Sequence, residues 1–250
     1  LLDKIEPGGT AVLNADDPLV RRLARKAVSE VILFGLAEDA AVRATDITTT
    51  KMGNRFDLIL PGDRVTVDFK IPGRFMVSNA LAAAAVGHRI GIPAQEIKAG
   101  LEAFVPVRGR LNIISTRSGI HLIDDTYNAN PGSMEAALTT LDALRKNQRA
   151  YFVAGDMREL GPQSQVLHLE LGVLAARSGI SALFVTGDFA ESVARGAVEA
   201  GMDARHIITG SKEDLLSRIV QILKPGDWIL VKGSRAMAME NSRPKRSLAL

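Results

Sequence analysis

Residues 123–133 read I-D-D-T-Y-N-A-N-P-G-S, and six of the eight positions from Asp124 to Pro131 are polar or conformationally special. Part of this is ordinary helix-start chemistry: Asn130 suits an N-cap, Pro131 the first helical position, and two Asp residues can end a strand in solvent. One cap needs fewer special residues than this, and the surplus points to binding. A carboxylate at a strand end is placed to accept hydrogen bonds from ribose hydroxyls, and a helix N-terminus beside it favours anions. Four short apolar runs elsewhere share an ending: Gly155-Asp156, Gly187-Asp188, Gly210-Ser211 and Gly233-Ser234. The second and third have little other polar chemistry nearby and read as a turn glycine followed by a helix N-cap. The fourth stands in the string Lys232-Gly233-Ser234-Arg235, whose cations suit carboxylates.

Several other chemistries lack their residues. His88, His121, His168 and His206 show no metal-ligand or nucleophile spacing and read as surface or satisfied core histidines, so no metal site is assigned. Neither G-x-S-x-G nor G-x-G-x-x-G occurs, which argues against a serine hydrolase and a dinucleotide dehydrogenase. The net charge of +3 is spread along the chain, and one Trp with two Tyr makes a poor stacking platform, so nucleic acid is not implied. With no cysteine there is no disulfide framework. The most apolar uncharged stretch, residues 75–87, is too short to span a bilayer, and the first residues lack a signal-peptide pattern. A cytoplasmic protein without membrane insertion is expected.

These loops need elements to hold them, and 250 residues with 46% hydrophobic content suffice for two domains. Residues 1–106 read as mixed α and β. Strands are expected at 10–13 and 31–35, and a helix opens at Pro18. A ribbon at 55–60 and 65–71 turns at Pro61-Gly62-Asp63, and helices follow at 75–90 and 94–104. Beyond a boundary near Pro106, residues 107–250 become regular. Apolar strands at 111–115, 120–123, 150–154, 182–186, 207–209 and 228–231 alternate mostly with helices, the pattern of a Rossmann-like, doubly wound, mainly parallel sheet. Only the first pair reads as a hairpin, turning at Arg117-Ser118-Gly119. In such a sheet all the carboxyl ends lie on one side, so the special loops share one rim.

The string DDTYNANPGSMEAAL resembles the signature of the Mur ligase family, and LNADDP at 13–18, GDMRELG at 155–161 and KGSRAMAME at 232–240 agree with it. Sister ligases and folylpolyglutamate synthases carry a histidine around Asn128. The YNAN form therefore points to the member that joins D-alanyl-D-alanine to UDP-N-acetylmuramoyl-tripeptide in peptidoglycan precursor synthesis. The resemblance implies an ATP-dependent amide ligase using Mg2+, a monomer with those two compounds as partners, and an α/β fold. Residues 1–106 would be the later part of the central ATPase domain and 107–250 the C-terminal Rossmann-like domain.

By resemblance, Asn14 matches the asparagine that recognises adenine, Arg110 the arginine that reaches the nucleotide, and Asp125 the aspartate that holds its ribose. Asn128 and Asn130 belong to the same nucleotide loop. Asp156, Arg158, Lys232, Ser234 and Arg235 match loops facing the peptide substrate or the incoming dipeptide. Read as residues alone, Asn14 equally suits an Asx turn, Arg110 a solvated arginine after a linker, and Asp156 with Arg158 a solvated turn. No G-x-x-x-x-G-K-[ST] occurs, so the phosphate loop and the Mg2+ ligands are expected in an N-terminal part outside this sequence. After Glu240 the polar, proline-interrupted stretch 241–246 departs from the family's amphipathic helix. A non-catalytic nucleotide-binding or scaffolding fragment, and a sister ligase with another amino-acid substrate, are the competing readings.

Overall fold

The computed structural model describes residues 2–50 and 53–242; the polar tail expected after Glu240 lies, from Arg243 on, outside them. The chain separates between Val105 and Pro106 into two compact units. The first contains β1 (Thr10–Asn14), α1 (Pro18–Ala24), β2 (Glu30–Gly35), β3 (Val42–Thr50), β4 (Gly53–Leu60), β5 (Asp63–Phe69), α2 (Arg74–Arg89) and α3 (Ala94–Ala103). Its sheet runs β1-β2-β3-β4-β5, parallel through β3 and antiparallel from there. The ribbon expected from sequence is β4 and β5, closed by Pro61-Gly62, with Gly62 at φ +85° as a type II turn requires. Val77, Ala80, Leu81, Ala84 and Ala85 recur at helical spacing along α2 and pack with Phe56, Leu58, Val67 and Phe69 of the sheet.

Strand β3 was not anticipated, and its sequence shows why. It reads VRATDITTT, polar over its second half, and its register shifts between Thr45 and Thr48 where Asp46 takes φ +53°. The bulge breaks the alternation by which a half-buried strand announces itself.

The second unit contains β6 (Asn112–Ser115), β7 (His121–Asp125), α4 (Pro131–Arg145), β8 (Ala150–Ala154), α5 (Ser164–Arg177), β9 (Ala182–Val185), α6 (Ala190–Glu199), β10 (Ile207–Thr209), α7 (Lys212–Ile222) and β11 (Trp228–Lys232). The sheet order is β10-β9-β8-β11-β7-β6, with only β6 antiparallel. The connections through α4, α5 and α6 all step toward the β10 edge, whereas α7 returns and inserts β11 between β8 and β7. Right-handed crossovers therefore put α7 on the opposite face from the other three. Accordingly Leu215 and Ile219 of α7 pack with Leu122, Tyr151, Val153, Phe184, Ile229 and Val231. The reversal leaves the carboxyl ends of β7, β11 and β8 side by side, where an open α/β sheet forms its crevice. Among the described residues no helix is long and apolar enough to cross a membrane.

Helices α5 and α6 meet almost backbone to backbone. A Cβ added at Gly172 would lie 1.9 Å from the Val193 carbonyl oxygen, and one at Gly196 would lie 2.0 Å from that of Leu169. Gly100, within α3, has nothing within 4 Å of the same position. Gly172→Ala should therefore destabilise the chain by about 1–3 kcal/mol through overpacking. Gly100→Ala should stabilise it by about 0.5–1 kcal/mol through helix propensity and lost unfolded-state entropy. Thermal unfolding of the two variants checks this; midpoints moving in the same direction would contradict the close helix crossing.

Candidate functional site at the carboxyl edge of the second sheet

β7 and β11 are parallel neighbours in a register that sets Asp125 opposite Lys232. Residues so paired point to the same face, and the Lys232 ammonium lies 2.5 Å from Asp125 Oδ2. It also donates to the Asn128 carbonyl at 2.9 Å. Lys232 is only 2% exposed, so its charge is neutralised inside the protein. The other oxygen of Asp125 accepts from the Leu111 N–H at 3.1 Å. Asp124, buried beside it, accepts from the Thr126 hydroxyl at 2.7 Å. Asn130 caps α4 as expected, in a reciprocal box with Ser133: its side chain accepts from the Ser133 N–H and its own N–H donates to the Ser133 hydroxyl. The Asn128 side chain is exposed.

The linker folds back onto this loop. Tyr127 N–H donates to the Gly109 carbonyl, and the Arg110 guanidinium lies 4.3 Å from the centre of the exposed Tyr127 ring. Gly109 at φ +78° and Leu111 at φ +48° make the bend. Arg110 and Asp125 are thus brought to one place by contacts within this unit.

A second set of bonds ties in β8 and β9. Asp156, 1% exposed at the end of β8, accepts from the N–H groups of Asp188 and Phe189 at 2.9 and 3.2 Å. Its carboxylate therefore serves the first turn of α6, which begins at Ala190. Here the sequence expectation is corrected: Asp188 does not cap its own helix, because Asp156 from the adjacent strand already occupies that position. Asp188 instead pairs with Arg158 at 3.0 Å. Gly187 is required beside it, since a Cβ there would lie 2.3 Å from the Asp156 carboxylate. Ser211 does cap α7, as expected. Ser234 joins the strand ends: its N–H donates to the Asp156 carbonyl, while its hydroxyl accepts from the Arg158 N–H and donates to the Ala129 carbonyl. Arg235 is exposed and pairs with Glu240 at 3.0 Å.

Asn14 belongs to the first unit. Its Oδ1 accepts from the Asp16 N–H at 2.9 Å, the Asx turn that its residue type suggested. Asp17 caps α1, and Asp16 accepts from the N–H groups of Leu36 and Ala37 beyond β2.

Sequence reasoning gave Thr126, Tyr127, Asp188 and His168 no site role; it read His168 with the other histidines as a surface or satisfied core residue, and the buried ring with partners on both nitrogens is the latter. For His168 a signal existed. It lies with Leu171, Gly172 and Ala175 on the buried face of α5, the one imidazole in a stripe of apolar and small residues. The amino end of the sheet also holds an ion pair, Arg149 with the buried Asp227 at 2.6 Å. There burial pushes the Tyr151 phenol above its ordinary pKa.

At the carboxyl edge the carboxylates of Asp125 and Asp156 are buried and engaged within the protein, while the guanidinium groups of Arg110, Arg158 and Arg235 lie at the rim, Arg158 beside the exposed Asp188 and Arg235 beside Glu240. Such a rim suits anions and hydroxyl-rich ligands. Among the described residues no three His, Asp or Glu side chains gather as a metal site.

Residues 109–235 match the family described as "Mur ligase, glutamate ligase domain", and residues 1–87 match "Mur ligase middle domain". The UDP-N-acetylmuramoyl-tripeptide--D-alanyl-D-alanine ligase of Escherichia coli (strain K12) is 39% identical over 206 residues, covering 82% of this chain and 44% of that protein. The enzyme of that name from Bacillus subtilis (strain 168) is 29% identical over 240 residues, covering 96% and 51%. In fold, the chain is similar to a crystal structure of MurF from Acinetobacter baumannii, with TM-score 0.85 and 29% identity over 96% of this chain and 52% of that one. The chain spans about half the length of these relatives.

Lys232→Met would leave the Asp125 carboxylate buried without its counter-charge and should cost about 3–5 kcal/mol. Adding Asp125→Asn, which removes the stranded charge, should recover part of that loss. Urea unfolding of the single and double variants measures both; a double variant no more stable than the single would contradict the pairing.

Proposed function

This chain belongs to the Mur ligase family, and we propose that it is part of an ATP-dependent amide ligase that joins D-alanyl-D-alanine to UDP-N-acetylmuramoyl-tripeptide. The observation that carries the reading is the loop DDTYNANP, set at the crevice of the wound sheet with Asp125, Arg110 and Tyr127 gathered around it. The E. coli and B. subtilis relatives, named for this reaction, support the choice of substrates.

A carboxylate is a poor electrophile. In the proposed reaction a tripeptide carboxylate oxygen attacks the γ-phosphorus of ATP, ADP leaves, and an acyl phosphate results. The amine of the dipeptide then attacks the acyl carbon, inorganic phosphate departs with the C–O electron pair, and the amine gives up a proton. Such chemistry depends on positioning and charge neutralisation. In this reading Asn14 recognises adenine, Arg110 reaches the nucleotide and Asp125 holds the ribose hydroxyls, with Asn128 and Asn130 shaping the same loop. Arg158 and Arg235 are the accessible cations for substrate carboxylates. Asp156, Ser234 and the buried Lys232 hold the loops that present them. Mg2+ would neutralise the phosphates, but no cluster among the described residues fits it, so no step is assigned to it here. The sequence also lacks G-x-x-x-x-G-K-[ST], and the 250-residue chain by itself is expected not to turn over.

The product of the complete gene should release phosphate from ATP with UDP-N-acetylmuramoyl-tripeptide and D-alanyl-D-alanine, and not with single amino acids in its place. Turnover with another amine would make it a sister ligase. Nucleotide binding without turnover on any amine would make it a non-catalytic nucleotide-binding protein. Asp125→Ala should weaken nucleotide binding by about tenfold or more, as loss of a charge-assisted hydrogen bond implies. Unchanged affinity in a titration would remove Asp125 from the site.

A further inference from the structure

His168 is wholly buried, one turn into α5, and takes no part in the chemistry described above. Both ring nitrogens are engaged. Nδ1 lies 2.6 Å from the Ser164 carbonyl, which can only accept, so Nδ1 carries the hydrogen. Nε2 lies 2.9 Å from the Met157 nitrogen, whose N–H can only donate, so Nε2 presents its lone pair. The two bonds define one neutral tautomer. The ring face stacks on Phe189, with centroids 4.4 Å apart and planes at 18°.

These contacts span two rim loops. Met157 lies between Asp156 and Arg158, and Phe189 N–H donates to the Asp156 carboxylate. The Arg158 backbone is held by Ser234, and its guanidinium lies 3.0 Å from Asp188 and 3.3 Å from Asp156. Among the described residues, the groups that orient Arg158 therefore belong to the β8 or β9 loop or to the segment that follows β11, where Met237 Sδ also lies against the guanidinium. His168 fixes the first two relative to each other: it accepts from the backbone of one and stacks on the N-cap residue of the other.

We propose that His168, as the Nδ1–H tautomer, is a positioning residue that aims the Arg158 guanidinium at a substrate carboxylate. The inference rests on the ligase reading, in which Arg158 faces a carboxylate-bearing substrate. His168 touches no substrate and acts through the Met157 N–H and the Phe189 ring.

The test is a kinetic cycle in the product of the complete gene. Arg158→Ala should raise KM for one carboxylate substrate, the dipeptide or the tripeptide nucleotide. His168→Ala should raise that same KM about tenfold, the scale of one lost hydrogen bond, and leave KM for ATP within twofold. On the Arg158→Ala background, His168→Ala should add nothing further. His168→Gln, whose amide oxygen can reach the Met157 N–H, should return KM to within about threefold of the parent. A purely structural histidine would lower kcat and shift every KM together, without rescue by Gln, and that result overturns the proposal. So does a double variant whose effects multiply. If Arg158→Ala raises a KM and His168→Ala does not, this inference fails while the ligase reading stands. If no amine supports turnover, or Arg158→Ala moves no KM, the reading beneath it fails and takes the inference with it. The tautomer is checked independently of turnover by 15N NMR of the imidazole in the unmodified chain. A protonated Nε2 at neutral pH would overturn the proposal whether or not His168→Ala folds.

Discussion

Lys232 and Asp125 sit opposite one another because β11 is threaded between β7 and β8, and their ion pair holds the candidate site together. Two charges removed from water gain little net stability from each other, but neither can be left alone. The pair thus fixes where two segments more than a hundred residues apart in sequence must end. From it the Asn128 carbonyl is drawn inward, the Leu111 N–H is satisfied, and the linker with Arg110 lies over Tyr127. A register slip of one residue would point Lys232 to the other face of the sheet and undo all of these at once.

The same device recurs in both units. An aspartate at the end of one strand accepts backbone N–H groups from the loop beyond the next strand, and a glycine in that loop makes room for it. Asp16 does this for Leu36 and Ala37, with Gly35 in contact. Asp156 does it for Asp188 and Phe189, with Gly187 in contact. Backbone donors at a strand end would otherwise face solvent or a ligand unpaired. Spending Asp156 on them buries that carboxylate, while Arg110, Arg158 and Arg235 stay exposed at the rim, a set of cations that suits anionic ligands. The proposed chemistry, between a triphosphate and a carboxylate, is of that kind.

Much of the architecture was legible in the residues. The alternation of apolar strands with helices announced the parallel sheet, and the Asn130-Pro131 cap and the Pro61-Gly62 turn were correctly placed because each rests on local conformational preference. Strand β3 was missed, since its polar, bulged sequence lacks the alternation that burial on one face imposes. Asp188 was misassigned for a different reason. A glycine followed by Asp before a helix is a sound local cap signal, but a carboxylate from β8 had already taken that position, and nothing within residues 187–190 could reveal it.

The amino-acid sequence by itself determined the element types, the family signature and the residue kinds gathered in each loop, because these follow from preferences acting over a few neighbouring residues. Only the tertiary structure decided that Lys232 neutralises Asp125, that Asp156 serves the helix after β9, and that His168 joins two loops as a single tautomer. Those partners are far apart along the chain, and their pairing depends on strand order and register, which arise from how the whole sheet buries its two faces.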